Sequence, residues 1–149
     1  MAKRYLEDFH AGQVFEVGSH TFTADEIVEF GKRYDPQPFH IDEEAARRTP
    51  WGGLIASGWH TIGVVMRLQV EGYVNDSASL GSPGIDEIRF WKPVRPGDTI
   101  TARSTIVEVV PSRSKPDRGH LLARAEAFNQ KGELVLSFVG RGIYFRRPA

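Results

Sequence analysis

The segment Tyr34-Asp35-Pro36-Gln37-Pro38-Phe39-His40 holds a carboxylate and an imidazole five residues apart, with two prolines between them. Proline fixes φ and removes an amide donor, so such a segment is stiff. A stiff segment keeps Asp35 and His40 in one relative geometry at little further entropic cost. Imidazole is the side chain best suited to moving protons near neutral pH. General acid/base chemistry is one reading of this spacing. A rigid structural loop, in which Asp35 caps a neighbour and His40 packs, is the other, and spacing alone leaves both open.

A second segment, Gly53-Leu54-Ile55-Ala56-Ser57-Gly58, leads into an apolar helical run. The first amides of a helix have no intrahelical acceptor and form a site for negative charge. Gly58 has no side chain to keep a polarised carbonyl away from its N–H. The alternative is that Ser57 caps the helix and Gly58 allows close packing. Other chemistry-bearing residues read more simply. His60, on the same helix, is expected to be a satisfied core residue. Asp42, Glu43 and Glu44, next to His40, suit the positive first turn of a short helix better than a metal site. Arg113, Lys115 and Arg118 are expected to be a solvated charge run in a loop. No glycine-rich phosphate loop of known spacing is present.

The elements that must position these residues follow from the pattern. Gln13 to Val17 is expected to be a first strand. Thr23-Ala24-Asp25-Glu26 marks a helix start, with a capping box between Thr23 and Glu26 and a hydrophobic staple between Phe22 and Ile27. That helix carries Ile27, Phe30, Gly31 and Tyr34 on one face and should end before Pro36. A short helix is expected from Asp42, with Arg47 and Arg48 at its negative end. The run from Ser57 to Val70 is apolar on almost every face, the pattern of a buried helix, and Gly72 is expected to stop it. Ile85 to Val94, Thr99 to Val110, Leu121 to Phe128 and Glu133 to Phe145 read as strands. They are separated by a turn at Arg95-Pro96-Gly97-Asp98, a polar loop from Pro111 to Gly119, and a hairpin at Asn129-Gln130-Lys131-Gly132. One buried helix followed by a meander of strands predicts an α+β domain over residues 1–149, a curved antiparallel sheet wrapped around that helix.

Composition narrows the functional classes. Lys plus Arg and Asp plus Glu each number 19, so the net charge is zero. A dominant nucleic-acid or polybasic membrane role is therefore not expected. The absence of Cys excludes disulfides, thiol nucleophiles and Cys-ligated metals. No apolar run follows the N-terminal charges, and the helical stretch around Ile62 to Val70 is too short to span a bilayer. A cytoplasmic protein is the expectation.

Three blocks of the chain resemble the MaoC-like family of R-specific enoyl-CoA hydratases and dehydratases. Asp35-Pro36-Gln37-Pro38-Phe39-His40, with Ala45 following, is similar to the family signature Asp-x-Asn-Pro-x-His. The run from Gly52 to Thr61 is similar to the segment that places a Gly at the start of the central helix. Phe90-Trp91-Lys92-Pro93-Val94-Arg95-Pro96-Gly97-Asp98-Thr99 is similar to the Pro-Val-x-x-Gly-Asp strand turn. The blocks occur in family order between about Phe22 and Val110.

The resemblance implies a hot-dog fold, usually as a homodimer or a dimer of dimers. It implies a carbon–oxygen lyase of fatty acid metabolism that adds water to, or removes it from, an acyl-CoA thioester without a cofactor or metal. Asp35 and His40 would be the acid/base pair and the Gly58 amide the oxyanion donor. Gln37, Phe39, Ser57 and Trp59 would contact substrate. Gln37 departs from the usual Asn by one methylene, and Trp59 is bulkier than usual, which puts the acyl preference in question. A thioesterase on the same fold is a competing reading. It would call for a carboxylate on or beside the central helix, and Gly58 to Val70 has none. A non-catalytic acyl-CoA-binding protein would tolerate loss of Asp35 or His40, and both are present.

Overall fold

A computed structural model describes residues 3–149. Five strands form one antiparallel sheet: β1 (Val14–Thr21), β2 (Gly84–Phe90), β3 (Thr99–Pro111), β4 (Arg118–Phe128) and β5 (Leu134–Phe145), in the spatial order β1-β3-β4-β5-β2. Four helices lie between β1 and β2 in the chain: α1 (Ala24–Tyr34), α2 (Pro38–Ile41), α3 (Glu43–Arg47) and α4 (Gly58–Gln69). The core joins one face of the sheet to α4: Ile62, Val65 and Leu68 of the helix bury with Ile100, Ile106, Leu121 and Phe138 of the strands. This is the hot-dog arrangement.

Strand periodicity explains the packing. Successive side chains of a strand point to opposite faces. Along β4, Gly119, Leu121, Ala123, Ala125 and Ala127 are buried and the alternate residues are not. Three of those inward residues are alanines, so a helix can approach the sheet there without collision. Each fully buried large side chain, such as Phe22, Ile27 or Ile106, contributes roughly 1.5–3 kcal/mol.

Local signals place the helices. Thr23 caps α1 by accepting the Glu26 amide at 3.1 Å, while the Glu26 carboxylate accepts the Thr23 amide at 2.7 Å. Phe22 and Ile27, the staple pair, are fully buried. Asp42 caps α3 at the Ala45 amide.

Four expectations need correction. The α4 run is not buried on every side: His60, Thr61, Ile62, Val65, Leu68 and Gln69 are covered, but Trp59 is 64% and Met66 44% exposed. Hydropathy cannot distinguish a face covered by this chain from one left to something else. Gly72 does not stop the helix, which runs on as a π-helical turn over Val70–Val74. The glycine is there for close approach: a Cβ on it would lie 2.9 Å from Val17 Cγ1. Tyr34 is exposed, its ring resting beside that of Phe30 with centroids 5.0 Å apart. The strand expected from Ile85 to Val94 ends at Phe90, where the chain turns out of the sheet toward Pro93 and Pro96. Among the described residues, no helix is long and apolar enough to cross a membrane.

Candidate active site

The site forms where the C-terminus of α1 meets the N-terminus of α4. Asp35 ends α1, its amide still bonded to the Gly31 carbonyl at 2.8 Å. Pro36 and Gln37 are non-helical, Gln37 with extended backbone, but the stiff segment is not loop throughout. Pro38 occupies the first position of α2, where its missing amide costs nothing, and this single turn carries His40 back over α1. Gly31 makes the return possible, because a Cβ there would lie 2.8 Å from Ile41 Cγ2 and 3.0 Å from His40 Cβ. Gly31 therefore belongs to the site's supporting structure. Its only signal in the sequence was a glycine within a helix, where it costs about 1 kcal/mol relative to Ala.

Asp35 and His40 face each other, with His40 Nε2 3.3 Å from Asp35 Oδ2. His40 is 5% exposed. Its Nδ1–H donates to the Ile55 carbonyl at 2.7 Å, and the Ile55 amide donates to the Phe39 carbonyl at 3.1 Å. This two-way link fixes the ring and turns Nε2 toward Asp35; in the neutral imidazole, with its proton on Nδ1, Nε2 is an acceptor. Ile55 acts here through its backbone alone, so no side-chain pattern could have pointed to it.

Each oxygen of the Asp35 carboxylate accepts one hydrogen bond, which leaves further acceptor capacity on both. Oδ1 accepts from Gln37 Nε2 at 2.8 Å and Oδ2 from Ser57 Oγ at 2.8 Å. Partial burial pushes its pKa up. The two donated hydrogen bonds and the nearby His40 outweigh that, so the carboxyl sits below its usual range.

Ser57 also caps α4 by accepting the Trp59 amide at 3.3 Å, so one hydroxyl joins the helix cap to the carboxylate. Gly58 is the first residue of α4, and among the described residues no acceptor meets its N–H. The Phe90 ring lies over it so closely that a Cβ on Gly58 would come within 2.5 Å of the ring. A cleft of about 430 Å³ opens here, bordered by Asp35, Gln37, His40, Gly58, Trp59 and Phe90. Trp51, Trp91 and Lys92 form more of its wall.

Of the residues singled out in the sequence, the structure gathers Asp35, His40, Gly58, Gln37 and Trp59 at this cleft. It does not bring Phe39 or Ser57 to its surface. Phe39 packs edge-on against the ring of His40, centroids 4.6 Å apart, and Ser57 is 1% exposed beneath Asp35. Phe90 and Trp91 were noted in the sequence only for their turn.

A second carboxylate–imidazole cluster lies at the other end of α1. Glu26 Oε2 is 2.8 Å from His20 Nε2 and 3.2 Å from His60 Nε2. The His60 ring stacks on Phe30, centroids 5.0 Å apart, and meets Phe22 edge-on. It is a core residue, as expected, but not a fully satisfied one: among the described residues its Nδ1 is buried without a partner.

This geometry can be set beside known proteins. Residues 8–122 match the family described as MaoC like domain. An uncharacterized protein of Bacillus subtilis, YdeM, is 36% identical over 128 residues, covering 85% of this chain and 88% of that one. An (R)-specific enoyl-CoA hydratase of Rhodospirillum rubrum is 31% identical over 73% of this chain and 74% of its own. The crystal structure of a MaoC-like dehydratase, also from Rhodospirillum rubrum, superposes with a TM-score of 0.89 at 40% identity, covering 97% of this chain and 99% of that chain.

Proposed function

Because the chain belongs to the MaoC-like dehydratase family, we propose that it interconverts a 2-enoyl-CoA and the (R)-3-hydroxyacyl-CoA by adding or removing water. The observation that carries this reading is the pairing of Asp35 Oδ2 and His40 Nε2, 3.3 Å apart, at the cleft that also contains Gly58. With its Nδ1 proton given to Ile55, His40 presents a lone pair at Nε2, and ionised Asp35 is also an acceptor. Two acceptors so close are complementary to one water donating an O–H to each.

In the hydration direction that water attacks C3 of the enoyl thioester. His40 Nε2 takes its proton, and the resulting imidazolium is stabilised by Asp35. The electron pair of the C2–C3 double bond moves toward the thioester oxygen. There the Gly58 N–H, at the positive end of α4, stabilises the developing charge; such donors typically contribute about 10²–10³-fold. The proton then returns to C2 from the same pair. A C3–O and a C2–H bond form as the C2–C3 π bond and one water O–H bond break, with no net oxidation or reduction, so the proposed step calls for no redox cofactor and invokes no metal. The (R) product is proposed from the likeness to the (R)-specific hydratase.

The test is incubation with crotonyl-CoA and longer 2-enoyl-CoA thioesters while following loss of the conjugated enoyl absorbance. Chiral analysis should return the (R)-3-hydroxyacyl product. Free CoA released with no hydrated product would point to thioester hydrolysis and overturn the reading.

We propose in addition that the working unit is a homodimer joined through β2. That strand is an edge of the sheet, and Ile85 on it is exposed. A bare strand edge invites pairing with another strand. Sedimentation should show twice the mass of the 16.7 kDa chain, and a monomer with full activity would contradict this.

A further inference from the structure

The inference rests on the proposed thioester chemistry, and it concerns where the nucleotide end of the substrate lies. Trp91 stands between two concavities. It borders the cleft that holds Asp35 and His40, and it also borders a groove of about 290 Å³ that contains Arg89, Arg124 and Ser137. It is pinned in place: its amide donates to the Val135 carbonyl at 2.9 Å and its indole N–H to Ser137 Oγ at 2.9 Å.

Arg89 and Arg124 share the face of the sheet turned away from α4. Arg89 is paired with Ser137 of β5, and Arg124 with Val139, the next position on that face. Their strands flank β5 on either side and the two positions are offset by two residues along it, so their backbones are about 12 Å apart. A ligand lying over β5 would come between two guanidinium groups.

Neither group is neutralised by a carboxylate among the described residues. Glu126, also in the groove, is engaged by Arg103 at 3.2 Å. The other contact of Arg89 is a long one, 3.3 Å, to the neighbouring Ile88 carbonyl. Glu87 is the opposing charge; it is exposed at the β2 bulge, with φ +55°, and makes no ion pair among the described residues.

We infer that this groove receives the phosphate groups of the CoA nucleotide, with the pantetheine arm crossing Trp91 from the cleft. Guanidinium forks match phosphate oxygens bidentately, and a free pair beside an aromatic wall suits a nucleotide. The basic loop between β3 and β4 is too far away. Arg118 lies nine residues along β4 from Ala127, the partner of Leu136 near the cleft, which is about 30 Å.

The test compares crotonyl-CoA with crotonyl-N-acetylcysteamine, which carries the same reacting group without the nucleotide. The double variant Arg89→Ala/Arg124→Ala should raise KM for crotonyl-CoA by about tenfold or more, the usual worth of charge-assisted hydrogen bonds. Its kcat, and its kcat/KM on the truncated thioester, should stay at wild-type values. Glu87→Gln should lower KM for crotonyl-CoA. An unchanged KM in the double variant, or equal losses on both substrates, overturns the assignment. So does a loss confined to a carrier-protein thioester. Should the wild type hydrate neither substrate, the proposed reaction fails but the groove is still tested. Calorimetry must then show free CoA binding to the wild type and not to the double variant.

Discussion

Helix α1 has a carboxylate–imidazole cluster at each end, and the two differ in how the rings are held. At its C-terminus His40 gives Nδ1–H to a backbone carbonyl and turns Nε2 toward Asp35 and the cleft. At its N-terminus His60 points Nε2 at Glu26 and buries Nδ1 beside Phe22 and Phe30, with no partner among the described residues. The ingredients are the same. The first cluster leaves an acceptor pair available to a small molecule, while the second spends its polar atoms joining α1 to α4. A backbone carbonyl in reach of Nδ1, not the presence of Asp or Glu beside His, separates a candidate catalyst from a brace.

The largest expected effect comes from breaking the first cluster. His40→Ala or Asp35→Asn should lower kcat by roughly 10²–10⁴-fold, the usual contribution of a general acid/base group. The double variant should be scarcely worse than the poorer single one, because both groups act on one water. Thermal unfolding should confirm that each variant is folded. Full activity in folded His40→Ala would put the two clusters on an equal footing and remove the contrast.

Gly31→Ala should come next. Its new methyl would press on Ile41 Cγ2 at 2.8 Å and on His40 Cβ at 3.0 Å, displacing the turn that carries the imidazole. Overpacking of this kind costs about 1–3 kcal/mol, read as a lower urea midpoint. The kcat should fall as well, since the ring leaves its place opposite Asp35. A variant that loses stability but keeps kcat would show that His40 tolerates movement.

The second cluster should answer in the opposite way. His60→Leu should change stability by about 1–2 kcal/mol and leave the activity per folded molecule near wild type. It should also flatten the pH dependence of unfolding. Burial, only partly offset by the Glu26 carboxylate, holds the His60 pKa below its ordinary 6.5. The folded state thus binds fewer protons than the unfolded one, and this contribution to stability is present above pH 6.5 and lost as pH falls toward the lowered value. Wild type should therefore weaken below about pH 6.5 more steeply than His60→Leu in urea titrations.

The smallest and most diagnostic effect is on a pH profile. Ser57→Ala removes one of the two donors that outweigh desolvation at Asp35. The Asp35 pKa should then rise, and the acid limb of kcat/KM should move to higher pH. Asp35 must be ionised to serve, so activity is lost as pH falls through its pKa, and a higher pKa brings that loss earlier. An unmoved acid limb would mean that another group controls it.

Much of this protein is set by its sequence locally. The capping box at Thr23 and Glu26, the Asp42 cap, the turn before Thr99 and the hairpin at residues 129–132 each depend on residues within a few positions of one another. Such interactions form wherever the chain carries them, and so they are legible. Asp35, His40 and Gly58 could be singled out because residue type and stiffness limit what such positions do. The partners of those residues were not legible. Ile55 serves through its carbonyl, Ser57 reaches Asp35 across 22 positions, and Gly31 matters only because a later turn folds back on it. The same holds for α4, whose apolar residues look alike in sequence although the sheet covers one side and leaves Trp59 and Met66 outside. Backbone groups carry no residue code, and long-range proximity exists only once the sheet has closed on the helix. For that reason the tertiary structure alone decided which of two buried imidazoles turns Nε2 to the cleft and which braces α1 against α4.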